Sequence, residues 1–142
     1  MFLADIDLIS EPRQKRPNPG VLQWLQDHDQ DLFLSAITIG EIKKGIELYP
    51  DSRKKTELTV WFEGLLEDFA DCVLPFTQTE ALVWGTLYAR SQKNGHKPPS
   101  LDSLNAAIAL FHGFTLVTRN ETDYAGTGVK IMNPWKQKTT LG

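Results

Sequence analysis

The chain has 142 residues, 41% of them hydrophobic and 23% charged, which is enough to bury one core and too little for two. A net charge of −3 argues against the broad basic surface of a tight, nonspecific nucleic-acid binder, so any polyanion must be held locally. The lone Cys72 excludes an internal disulfide and a CxxC zinc motif, and no run approaches the roughly 20 apolar residues that span a bilayer.

Met1-Phe2-Leu3 runs straight into Asp5 and Asp7, unlike a signal peptide, and a cytoplasmic protein is expected. Phe2-Leu3-Ala4 reads as a short buried strand, and the RQKRPNPG stretch as a loop. A helix then starts at Asn18 as N-cap, with Pro19 in the first helical position. Val21, Leu22 and Leu25 form its apolar face, with Trp24 beside it. Leu32-Phe33-Leu34 predicts a second strand. Thr38 with Glu41 matches a capping box, and Ile39, Ile42 and Ile46 continue as a helical stripe until Pro50. Three- and four-residue steps from Leu58 through Trp61, Phe62, Leu65, Leu66 and Phe69 predict a long helix over 54–69.

Val73 to Phe76 is a third strand, which Pro75 places at an edge or a strand end. Thr77 and Glu80 make a second capping box, opening a helix that ends near Gly95. A further helix runs from Leu101 to His112 and stops at Gly113. Phe114 to Thr118 and Val129 to Met132 complete the strands. Strands alternating with helices predict an α/β fold, a three-layer α/β/α sandwich around a mainly parallel sheet, as a single domain over 1–135 with a polar tail over 136–142. Trp61, Phe62, Trp84, Tyr88 and Cys72 are expected in the core.

Ligands of open α/β sheets collect beyond the carboxyl ends of the strands, and the residues there are mostly acids. Asp5 and Asp7 follow the first strand, Glu41 the second, Asp102 lies in the first turn of the helix from Leu101 to His112, and Asn120 and Asp123 follow the strand 114–118. Each has a structural alternative: capping for Glu41, dipole complementation for Asp102, a turn for Asp123. A charge at the end of a buried strand, as at Asp5, is costly without a partner and marks a site. Clustered carboxylates call for a cation, and an all-oxygen donor set favours Mg²⁺ or Mn²⁺ over zinc. Such an ion suits phosphodiester hydrolysis. Arg13, Arg16, Lys43 and Arg119 are candidate RNA contacts. A phospho-acceptor receiver also gathers acids at strand ends, but its acceptor Asp and late Lys have no counterpart in VLPFTQ and the TRN turn.

The strings MFLADIDLISE, LFLSAITIGEIKKGIELYP, PSLDSLNAAIAL, FTLVTRNETDY and the closing NPW resemble the PIN-domain ribonucleases, in particular the VapC and FitB type toxins of bacterial toxin–antitoxin pairs. The resemblance implies an endoribonuclease toxin that uses Mg²⁺ or Mn²⁺, cuts RNA including transfer RNA, forms a homodimer and is silenced by an antitoxin whose C-terminal segment crosses the site. It assigns the catalytic acids to Asp5, Glu41, Asp102 and Asp123, with Asp5, Asp102, Asp123 and Asn120 nearest the metal. The family usually has Asp-Thr-Asn or Asp-Ser-Asn where this chain has Asp5, Ile6 and Asp7. Ile6 removes a hydroxyl and Asp7 adds charge, so a second reading is a weakly active or inactive binding and assembly module.

Overall fold

The short apolar runs become five strands, β1 (Phe2–Ala4), β2 (Leu32–Ser35), β3 (Val73–Leu74), β4 (Thr115–Val117) and β5 (Ile131–Met132). In the computed structural model, which describes residues 1–136, they pair in parallel as one sheet in the order β3-β2-β1-β4-β5. Six helices cover it: α1 (Ile6–Ser10), α2 (Pro19–His28), α3 (Ala36–Glu47), α4 (Arg53–Asp68), α5 (Gln78–Lys93) and α6 (Ser100–His112). The expected α/β/α sandwich is therefore present. The tail expected over 136–142 lies, from residue 137 on, outside the described residues.

Successive strand side chains point to opposite faces, and each strand divides its apolar residues between two cores accordingly. Ala4, Leu32, Leu34 and Val117 face one core with Val21 and Trp24 of α2, Ile42 and Ile46 of α3, and Phe62 and Leu65 of α4. Leu3, Leu116 and Leu74 face the other, with Leu87 of α5 and the Ala106–Ala109 run of α6. Side chains this large stabilise the fold by about 1.5–3 kcal/mol each when fully buried. The alanine run lets α6 lie close to the sheet, and Gly113 ends it in the left-handed conformation (φ 70°) that glycine adopts without strain.

Asn18 caps α2 as its sequence predicts, its Oδ1 accepting from the N–H groups of Gly20 (2.8 Å) and Val21 (3.2 Å). The Thr77–Glu80 capping box is present too, with the Thr77 N–H donating to Glu80 over 2.8 Å. Three expectations need correction. Thr38 is not the cap of α3. Ser35, at the end of β2, takes that role by accepting from the Thr38 N–H at 3.0 Å, so Glu41 is in no capping box. Trp24 is buried in the core while Leu22 and Leu25 are half-buried, which shifts the inner face of α2. Of the aromatic residues expected inside, Phe62 is buried, but Trp61, Trp84 and Tyr88 are half-buried, as is Cys72.

Candidate active site

Asp5 is the residue at which β1 turns into α1, and it is only 4% exposed. Its Oδ1 caps α1 by accepting from the Ile6 N–H at 2.7 Å, and its Oδ2 accepts the Thr118 hydroxyl at 2.7 Å. Thr118 stands just past β4, the strand paired with β1, so the two central strands deliver donor and acceptor together. Burial raises the Asp5 pKa above its usual 3.8; the two hydrogen bonds oppose that rise, and Asp7 and Asp123 add to it.

Glu41 projects from α3 six residues past the end of β2. Among the described residues no hydrogen bond or ion pair engages its carboxylate, and burial, then Asp5, raises its pKa. Asp102 lies in the first turn of α6, half-buried, and its Oδ1 accepts the Tyr124 hydroxyl at 3.3 Å. Burial, then Asp5 and Asp123, pushes its carboxyl up to about 6, with Glu41 adding to the rise. Asp123 belongs to the turn Glu121–Tyr124. Four acids from four elements thus share one field at the carboxyl rim of the sheet. Tyr124 is held in its protonated form by burial and by the Asp5 and Asp102 charges, which keeps it a hydrogen-bond donor.

A buried polar network sets α3 against α6. Ser35 donates to Asn105 Oδ1 (2.5 Å), and Asn105 Nδ2 donates to Thr38 Oγ1 (3.3 Å). Thr38 is one turn before Glu41 and Asn105 one turn after Asp102, so the network lies on the same helix faces as the two acids. Thr118, Tyr124 and Asn105 were absent from the sequence-based candidates; a polar residue at the end of an apolar strand was a signal for Thr118.

The remaining candidates separate. Asn120 Nδ2 donates to Asp7 Oδ2 at 2.7 Å, bridging the turn after β4 to α1. The Ile6 side chain packs against the first core instead of entering the acid cluster. Arg13 stands over the Trp61 ring (5.1 Å) and Lys43 is exposed and paired with Glu47 (3.0 Å), whereas Arg16 and Arg119 line one cavity.

Among the described residues no three His, Cys, Asp or Glu side chains form a ready metal cage. Mg²⁺ retains several waters and takes one or two carboxylates, and this donor set fits such a hydrated ion. It is all oxygen, partly buried, and disfavours its own ionisation in the ion's absence. Asp5 and Asp102 are the carboxylates held in place from behind by hydroxyl donors, as metal ligands commonly are.

The PIN domain family model matches residues 8–127. The plasmid stability protein StbB of Pseudomonas syringae pv. tomato is 37% identical over 138 residues, 96% of this chain and 99% of that one. The toxin FitB of Neisseria gonorrhoeae is 33% identical over 137 residues (95% and 99%), and a VapC ribonuclease of Sinorhizobium fredii is 32% identical over 138 residues (96% and 99%). Among solved structures, a FitAB complex bound to a DNA fragment superposes with a TM-score of 0.91 at 32% identity, covering 99% of both chains.

Proposed function

Because this chain belongs to the PIN domain family, we propose that it is a metal-dependent endoribonuclease toxin, hydrolysing RNA phosphodiester bonds in the cytoplasm and neutralised by a cognate antitoxin. The convergence of Asp5, Glu41, Asp102 and Asp123 carries this reading. A relative named as a toxin and another named as a ribonuclease, each matched over almost its whole length, support it.

Asp5 and Asp102 would hold a hydrated Mg²⁺ or Mn²⁺, with Asp123 and Asn120 reaching it through its water shell. When bound, the cation polarises a phosphoryl oxygen and makes a bound water more acidic. Thr118 and Tyr124 fix the Asp5 and Asp102 oxygens, so these acids are oriented before substrate arrives. Glu41, whose carboxylate has no hydrogen-bond partner among the described residues, is free to accept the attacking water's proton and to aim that water at phosphorus. Its raised pKa makes it a better base than a surface glutamate. Transfer RNA is the proposed substrate and a homodimer the proposed working form. An antitoxin arginine placed among these acids would neutralise them and exclude the cation.

The test is cleavage of total RNA with Mg²⁺ or Mn²⁺, with EDTA and Glu41→Gln as controls. Cleavage that survives both controls refutes the mechanism.

A further inference from the structure

An open cavity of about 1070 Å³ is lined by Glu11, Lys15, Arg16, Arg119 and Trp135 among others. It joins the loop after α1 to the turn after β4. Arg119 follows Thr118, the residue that holds Asp5, so the cavity continues the same rim of the sheet. Four basic side chains of this acidic chain are taken up in ion pairs, Lys43 with Glu47, Arg53 with Glu57, Lys55 with Asp51 and Lys136 with Glu121. Lys15, Arg16 and Arg119 are exposed, and none has an ion-pair partner among the described residues. Glu11, the carboxylate in the wall, is buried and accepts the Asn18 N–H at 2.9 Å. The Arg119 guanidinium stands over the Trp135 ring, 5.2 Å from its centroid.

We propose that this cavity is a single-stranded RNA subsite flanking the cleaved bond, with Lys15 and Arg16 holding phosphates and the Arg119–Trp135 pair stacking a base. This rests on the nuclease reading above and adds where the substrate strand lies. Unpaired cations in a chain of net charge −3 answer the need for local capture of a polyanion. A guanidinium held over an indole offers a cationic plane of the kind unstacked RNA bases take. The indole N–H of Trp135 is buried without a hydrogen-bond partner among the described residues, so Trp135→Phe removes no hydrogen bond while it shrinks the aromatic surface beneath Arg119.

The full chain in EDTA, where metal-dependent cleavage stops, is titrated into a fluorescein-labelled single-stranded oligoribonucleotide and into an abasic strand of equal length and charge. Lys15→Ala with Arg16→Ala weakens both about tenfold at roughly 0.1 M salt and flattens the slope of log affinity against log salt by about 1.4. Arg119→Ala weakens the oligoribonucleotide about tenfold and the abasic strand about threefold, while Trp135→Phe weakens the oligoribonucleotide alone, about threefold. Wild-type affinity in all variants overturns the subsite. So does an equal loss on both strands for Arg119→Ala, or an acidic peptide of equal charge that competes as well as the RNA. Wild-type cleavage with Mn²⁺ is measured separately. Cleavage with unaltered variant binding removes the subsite and keeps the nuclease, and binding that depends on these residues without cleavage does the reverse.

Discussion

The Thr118 hydroxyl donates to Asp5 Oδ2 over 2.7 Å from 113 positions away in the chain. It opposes the burial that disfavours the Asp5 charge. Thr118→Val keeps the shape and deletes the donor, so a buried acceptor is left unsatisfied, at a cost of about 2 kcal/mol. The Asp5 pKa then rises further, and Mn²⁺ affinity falls at least about tenfold, as for other groups that support metal ligands. Thr118→Ser restores both. Urea denaturation and Mn²⁺ calorimetry on the three chains measure these effects; unchanged affinity in the valine variant would remove Thr118 from the site.

Glu41 and Ser35 separate chemistry from stability on one helix. Ser35 caps α3 and donates to Asn105, so Ser35→Ala costs about 2 kcal/mol. Glu41 caps nothing, and Glu41→Gln stays within about 0.5 kcal/mol of the parent chain. Its cleavage rate nevertheless falls at least about 100-fold, as expected for loss of a general base. If thermal melting finds the glutamine variant as damaged as the alanine one, Glu41 is structural.

The legible parts of the sequence were those set by local pattern. The caps Asn18 and Thr77, the stop at Gly113 and the apolar strands all follow from residues within a turn of themselves. Asp5 was legible as a charge at the end of an apolar strand, and Asp102 as an acid in the first turn of a helix. The cap of α3 was misread because S-x-x-T at Ser35 and T-x-x-E at Thr38 are both plausible locally. The choice is made at a distance, by the pairing of Ser35 with Leu74 on β3 and by its bond to Asn105, 70 positions away. Helix α1 has five residues, two of them β-branched isoleucines, too few to show a period. Tyr124 and Asn105 act through contacts that exist only once the sheet has closed.

Ile6 and Asp7, the two departures from the usual family pattern, lie differently. Ile6 packs on the core, whereas Asp7 accepts from Asn120 and raises the pKa of both Asp5 and Glu41. In Ile6→Thr with Asp7→Asn, the new amide oxygen can keep the Asn120 bond while the charge is lost. A partly exposed charge is worth roughly 1 kcal/mol or less, so cleavage changes by no more than about fivefold. A gain of several hundredfold in an RNA cleavage assay would instead identify the natural chain as a binding module whose nuclease has been disabled at these positions.

Asp102 makes stability depend on pH, in a direction opposite to that of a salt-bridged acid. Burial, then Asp5 and Asp123, raises its carboxyl from 3.8 to about 6, so between those values the folded chain holds a proton that the unfolded chain has released. The resulting stabilisation is complete below 3.8 and is lost as pH rises through about 6. Solvent reaches the side chain, and screening limits the effect to about 1 kcal/mol, or roughly 3 °C in Tm. Asp102→Asn abolishes this step, because its amide carries no charge and its oxygen can still accept from Tyr124. The variant is therefore more stable than the parent above pH 6 in EDTA. Adding Mn²⁺ reverses the order at pH 7.5, since the parent gains stability by binding the ion and the variant gains little. At pH 5 the ion must displace the proton and its benefit to the parent shrinks. Melting curves in EDTA and in Mn²⁺ at the two pH values test the whole scheme, and equal Mn²⁺ stabilisation of both chains at pH 7.5 would exclude Asp102 as a ligand.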